Sequence, residues 1–413
     1  MNNRSFIRCV LSMMVCYSML SVHARAEQSA DTLNNTFSGS AVNQEVVQTA
    51  DAGNSVYPET AHDGEKGKNI AEQLKIEPEQ ASETDWLADV AKRIQLHGYA
   101  QGWYYFQHTD NENTNSFLCK RTLLWANAQI TKRWSFLFMH DFNSVVQEYY
   151  TDLQVTNNKA LTIRFGQFKN AVSYENPLSP TAMETIDVYS EGVTYLTGCG
   201  SDPMNGVQYG RDQGVAVFGE TNNKKFRYEV QVMNGSGINI KDKNKQKDLI
   251  GRLELRPAKG LNLCVTGQYG KGNSLVANPV FNPQMQLGEN YKRNRATIGA
   301  DYKSQPFNVH SEYLYGEDGD VCSHGAYITG SVRLCTFRNN TSLDAVASYD
   351  YFDFAKNHNK EMQKAVIGLQ YWFFKKCRFQ LQYVYKDADT NYRTFFNRGD
   401  VHQIITQMQV RFN

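Results

Sequence analysis

The chain has 413 residues, a formal net charge of +1, and 41% hydrophobic against 21% charged residues. That balance gives no reason to expect a nucleic-acid partner. Beyond the extreme N-terminus no apolar run approaches the roughly 20 residues a transmembrane helix needs, so only strands could cross a membrane.

Residues 1–26 open with Arg4 and Arg8, continue through an apolar stretch from Val10 to Val22, and close on Ala24-Arg25-Ala26. This order predicts a secretory signal peptide cleaved before Glu27, and therefore export. Residues 27–92 are rich in Ala, Asn, Gln, Asp, Glu and Thr and lack strand alternation. They read as an acidic, largely disordered periplasmic leader, with a short helix around Asp85 to Lys92 that places Trp86, Leu87 and Val90 on one side. Because the leader holds most of its charge as acids, the remaining region, 93–413, is net basic although the whole chain is close to neutral.

From Ile94 to Phe412 apolar and polar residues alternate in sixteen segments: 94–106, 117–130, 134–142, 147–156, 161–168, 211–219, 226–234, 249–256, 261–269, 293–303, 307–316, 325–335, 341–352, 363–373, 377–386 and 401–412. In the seventh, Phe226, Tyr228, Val230 and Val232 share one face and Arg227, Glu229 and Gln231 the other. Even-numbered gaps are short, as in Thr131-Lys132-Arg133 and Ser304-Gln305-Pro306, whereas odd-numbered ones are mostly longer. The expected fold is all-β, a sixteen-stranded antiparallel transmembrane β-barrel in the bacterial outer membrane, with lipid on its apolar face and water in its lumen. An even strand number puts both barrel ends on the periplasmic side. Tyr313, Tyr315, Tyr349, Tyr351, Phe379, Tyr383 and Tyr385 share the lipid-facing phase, many of them at interface height. The final strand ends on Phe412, one residue from the terminus.

Strand phase nominates a cationic pore lining of Arg121, Arg164, Arg227, Arg252, Arg256, Arg295, Arg333, Lys364, Arg378 and Arg411. Arginine's planar fork pairs with two anion oxygens at once. Asp152, Glu229, Glu254, Asp301, Glu312 and Asp344 share the inward phase and are available to pair with those cations. Six cysteines follow the signal: Cys119, Cys199, Cys264, Cys322, Cys335 and Cys377. Cys199 and Cys322, in two outer loops, form the one pair worth testing as a disulfide.

No catalytic, cofactor or metal site is expected. There is no Gly-x-Ser-x-Gly elbow, and His97, His310 and His402 make no pair with metal-ligand spacing on a shared strand. An outer-membrane hydrolase is thus a weak alternative. A surface adhesin or receptor using loops such as Gly270 to Lys292 and Asp387 to Asp400 is the other.

Several short motifs, in order along the barrel region, resemble the phosphate-selective porin O and P family in its Bacteroidota form. They are Leu96-His97-Gly98-Tyr99, Phe165-Gly166-Gln167-Phe168-Lys169 with Ser173-Tyr174-Glu175, Gly210-Arg211-Asp212 with Gly214, and Met233-Asn234-Gly235-Ser236-Gly237 with Lys247-Asp248 and Gly251-Arg252. Gly299-Ala300-Asp301, Glu312-Tyr313 and Gly368-Leu369-Gln370-Tyr371 follow. The resemblance implies a barrel that is usually a homotrimer, with its third external loop, Lys169 to Gly210, folded inward to narrow the pore. That loop holds one base, Lys169, against five acids, Glu175, Glu184, Asp187, Glu191 and Asp202. A phosphate-selective constriction should present cations, so the expectation is passive diffusion of small hydrophilic solutes with at most a mild preference for anions.

Overall fold

The computed structural model describes residues 92–109, 112–202, 206–277, 284–355, 361–374, 376–388 and 400–412, with backbone alone at 201–202, 206–207 and 340. The signal peptide and all of the leader except Lys92 lie outside the described residues.

Sixteen strands form one closed sheet: β1 (Ile94–Thr109), β2 (Asn113–Thr131), β3 (Trp134–Asp141), β4 (Val146–Gln154), β5 (Thr162–Lys169), β6 (Arg211–Glu220), β7 (Phe226–Met233), β8 (Asp248–Ala258), β9 (Leu261–Tyr269), β10 (Asn290–Ser304), β11 (Phe307–Asp318), β12 (Val321–Thr336), β13 (Ser342–Asp353), β14 (Glu361–Phe374), β15 (Cys377–Ala388) and β16 (Val401–Phe412). The three-residue strand Lys271–Asn273 prolongs β9 along β10. Each strand pairs antiparallel with the next. β16 returns to β1 in continuous register from Gly98↔Phe412 to Thr109↔Val401, which leaves the sheet without an edge.

The burial pattern is inverted relative to a soluble protein. In β7, Phe226, Val230 and Val232 are exposed while Glu229, Gln231 and Met233 are buried. In β10, Ile298 faces out while Arg293, Arg295, Thr297 and Asp301 are buried within. An apolar outer wall around a polar interior is what a bilayer selects, because lipid cannot solvate the polar face.

All sixteen predicted segments are strands, and the larger differences, of three or four residues, lie at their external ends. β1 runs on to Thr109 and β2 begins at Asn113, and the Thr109 amide donates to the Glu112 carbonyl (3.0 Å). β11 and β12 likewise meet across Gly319 and Asp320. Alternation fades in these segments, which hold His108, Asn115, Glu317 and Asp318, because above the lipid both faces of a strand are wet.

The two outer-loop cysteines are free. Cys322 lies in β12 on the outward face, where its sulfur accepts from the Tyr315 hydroxyl (3.5 Å). Cys199 lies inside the barrel, so the wall itself separates the pair.

Gly166 is one position where backbone conformation demands glycine. Its φ is +138°, and a Cβ there would stand 2.3 Å from the Tyr149 carbonyl oxygen. Backbone strain alone costs about 1–3 kcal/mol for another residue, and the clash adds to it. Gly166→Val is expected to abolish the compact, heat-modifiable form on a detergent gel; migration like the wild type would show that β4 and β5 can part at little cost.

Candidate functional site

The longest external connection, L3 (residues 170–210), begins and ends where β5 and β6 pair Lys169 with Arg211. Inside it, Pro180–Ala182 forms a 3-10 turn. Glu191–Leu196 forms a short helix, α1, whose N-cap Ser190 accepts from the Val193 amide (3.1 Å). Its partners place it within the barrel. Ser173 Oγ and the Tyr174 amide donate to the Glu312 carboxylate on β11 (2.7 and 2.8 Å), and the Glu191 amide donates to Asp350 on β13 (2.6 Å). Arg378 on β15 donates to the Met183 carbonyl (2.6 Å), and Arg295 on β10 to the Leu196 carbonyl (3.0 Å).

Apolar packing fixes which wall the loop lies on. Val193, Tyr195 and Leu196 pack with Leu314, Tyr327, Phe352 and Phe354, and Ile186 packs with Trp103, Val366, Val384 and Ile405. Leu314, Phe352, Val366, Val384 and Ile405 all point inward, against the polar-inside rule for a water-filled barrel. Burial under L3 explains them, at about 25 cal/mol for each Å² of apolar surface removed from water.

The loop acids are turned toward that same wall. Glu175 accepts from the Ser190 amide (2.9 Å) and lies 3.1 Å from His310 Nε2; Glu184 lies 3.8 Å from His310 Nδ1. Glu191 pairs with Lys386 (2.9 Å) and Lys364 (3.5 Å), and Asp187 with the same two lysines (3.4 and 3.8 Å). Lys364 also reaches Asp350 at 3.5 Å. The side chain of Asp202 lies outside the described residues. Counting five acids in L3 therefore overstates its negative field, because Lys364 and Lys386 pair with two of them, Asp187 and Glu191, and His310 lies against two more.

The opposite side, between residues 177–180 and strands β1 to β7 with β16, holds a cavity of about 320 Å³. Arg164, Lys169, Arg211, Arg227 and Arg411 line it, against only two carboxylates, Glu148 and Glu229. Arg164 pairs with Asp152 (2.7 Å) over the Tyr150 ring, Arg211 with Glu148 (2.8 Å), and Arg227 with Glu229 (3.1 Å). Lys169 Nζ donates only to neutral groups, the Asn176 and Leu178 carbonyls (2.7 and 2.6 Å) and the Tyr189 hydroxyl (3.2 Å). Arg121 donates to Gln101 (3.1 Å) and Arg411 to the Thr181 hydroxyl. Neither has a carboxylate partner among the described residues. A second cavity of about 510 Å³ continues toward the periplasmic turns, with Arg252, Arg256, Lys259 and Lys303 against Glu254 and Asp301.

Of the remaining nominated cations, Arg252 pairs with Glu254 (2.8 Å), Arg256 with Glu220 and Glu254 (3.2 and 3.1 Å), Arg295 with Asp318 (2.9 Å), and Arg333 with Asp344. Arg295, Lys364 and Arg378 lie under L3, away from the cavity lining, and act as anchors of the loop. Arg211, Lys386, Asp318 and Asp350 were not among the nominated residues. All but Arg211 follow the inward parity of nominated residues on their own strands, and Arg211 was masked by its position at a strand end. Cys199 donates to Asn176 Oδ1 (3.0 Å), and burial pushes its thiol up, so it stays protonated.

A sequence profile of the family "Phosphate-selective porin O and P" matches residues 90–412. The chain belongs to that family. No curated protein matches this porin significantly. Among solved structures it is similar to an anion-selective porin from Comamonas acidovorans (11% identity, 77% of this chain and 99% of that one, TM-score 0.54). It is also similar to OprB from Pseudomonas putida at high pH (8% identity, 79% and 97%, TM-score 0.55) and to outer-membrane expressed OmpT of Vibrio cholerae (13% identity, 77% and 97%, TM-score 0.53). At these identities the likeness is one of fold. Family and fold together make the chain an outer-membrane channel for passive diffusion.

Lys364 is the cation on which the loop's attachment turns, since it is buried among three carboxylates. Lys364→Met leaves Asp350 and Glu191 in a dry site with less charge compensation, a change that costs about 3–5 kcal/mol where a buried pair is broken. The porin variant is expected to lose its compact form at lower temperature and to show larger current fluctuations in a planar bilayer. Unchanged noise and unchanged melting would remove Lys364 from that role.

Proposed function

We propose that this porin passes small anions along the wall formed by β1, β2, β5, β6, β7 and β16, with phosphate-like groups favoured over chloride. The observation that carries the reading is the asymmetry across L3. Asp187 and Glu191 pair with Lys364 and Lys386, and Glu175 and Glu184 turn to His310, on one side, while Arg121 and Arg411 stand without carboxylate partners on the other. Inside a protein-walled lumen uncompensated cations act at short range and lower dielectric, where their field on an ion exceeds that in open water. Paired arginines such as Arg164 and Arg227 supply hydrogen-bond donors without much net charge. The fold shared with a porin described as anion-selective supports the reading.

The working unit we propose is a homotrimer embedded in the outer-membrane bilayer; OmpT of Vibrio cholerae is described in a trimer form. It is a passive channel and not an enzyme. The N-terminal region is read as a cleaved signal over 1–26, with an acidic periplasmic leader over 27–92.

Arg121→Gln together with Arg411→Gln removes the two guanidinium charges that have no carboxylate partner. In a planar bilayer, low concentrations of inorganic phosphate are expected to block chloride current through the wild type, and the double variant to require on the order of tenfold more, equivalent to about 1.4 kcal/mol. Equal block of both proteins would refute this assignment of the anion path.

A further inference from the structure

On the outer wall β8 and β9 end externally in Leu249 and Tyr269, which face each other in register and are 52% and 71% exposed. One step beyond them, on the same face, stand Lys247, Lys271 and Lys292. Lys271 and Lys292 are direct cross-strand partners, and all three are exposed, whereas the alternate residues Asp248, Tyr291 and Arg293 are buried inward. Like charges directly opposite one another destabilise a ladder. Two acids reduce the repulsion: Asp242 pairs with Lys247, and Glu317 with Lys292 (2.9 Å). Lys271 has no carboxylate partner among the described residues. The fourth external loop, residues 234–247, adds Lys241 and Lys245, both exposed, and is tied to the row where Asn244 Nδ2 donates to the Lys271 carbonyl (3.2 Å).

We propose that this lysine row binds the phosphate groups of lipid headgroups in the outer leaflet. Its height decides the occupant. The row sits directly above the exposed Leu249 and Tyr269 at the external ends of the strands, so an acyl chain lying on those side chains brings its headgroup level with the three ammonium groups. The lumen cations point the other way, so an ion crossing the pore does not meet this row. A phosphate bridging Lys271 and Lys292 would also convert their mutual repulsion into attraction.

The test uses the full-length porin in nanodiscs that contain a diphosphorylated disaccharide lipid or the same lipid after phosphatase treatment, with bound lipid counted by native mass spectrometry. The wild type is expected to retain the phosphorylated lipid, and Lys247→Gln/Lys271→Gln/Lys292→Gln to bind it on the order of a hundredfold more weakly, about fivefold for each lysine. The triple variant should keep wild-type conductance and heat-modifiable migration. Should it fail to fold, Lys271→Gln alone, at a position with no ion pair, is expected to lose about fivefold. Equal retention of the two lipids, equal binding by wild type and variant, or displacement by millimolar inorganic phosphate, which would mark a free-anion site, would each overturn the proposal.

Discussion

A backbone inside hydrocarbon has no water to bond, so each strand must find its amide and carbonyl partners in its neighbours, and the last strand must return to the first. The ladder from Gly98↔Phe412 to Thr109↔Val401 is that return. Once it closes, side-chain parity alone decides whether a residue meets lipid or lumen. Arg295 and Ile298, three residues apart on β10, therefore live in opposite solvents. The charge distribution, the docking of L3 and the lysine row on the outer wall all follow from this parity.

Within that frame L3 solves a second problem, which is how to hold a long, largely irregular loop inside a wet barrel. Its apolar side chains bury against Leu314, Phe352, Val366, Val384 and Ile405, and its carbonyls and acids are met by Arg295, Lys364, Arg378 and Lys386. Burying Glu191 and Asp350 is tolerable only because Lys364 lies between them, since an unpaired buried charge costs several kcal/mol. The loop also packs Ala171 and Val172 against β6 to β8, and a cavity lined by more cations than carboxylates remains between residues 177–180 and the wall that carries Arg411. On the proposed function, the sign of the field in the passage depends on how the charges of L3 are paired as well as on the composition of L3.

The wall was legible in the sequence because each strand states its own phase locally. Phe226 to Val232 needs no distant partner to show which residues face lipid. Strand ends were less legible, since above the membrane both faces are wet and the alternation at His108 or Asn115 carries no signal. The charge compensation of L3 was not legible, because Lys364 lies 177 residues from Asp187 and Lys386 lies 195 from Glu191 along the chain. One trace of it was present: Val366 and Val384 fall on the inward phase beside Lys364 and Lys386, and an apolar residue facing a lumen signals something packed upon it.

The account's central claim is that the arginines without carboxylate partners, Arg121 and Arg411, set the sign of the channel's selectivity. The most direct measurement is the reversal potential of the wild-type porin in a planar bilayer between compartments of unequal potassium chloride concentration. If the unpaired arginines govern the passage, the polarity is that of an anion-selective channel. A reversal potential of cation-selective polarity would contradict it, and would mean that the acids of L3 govern the pore after all.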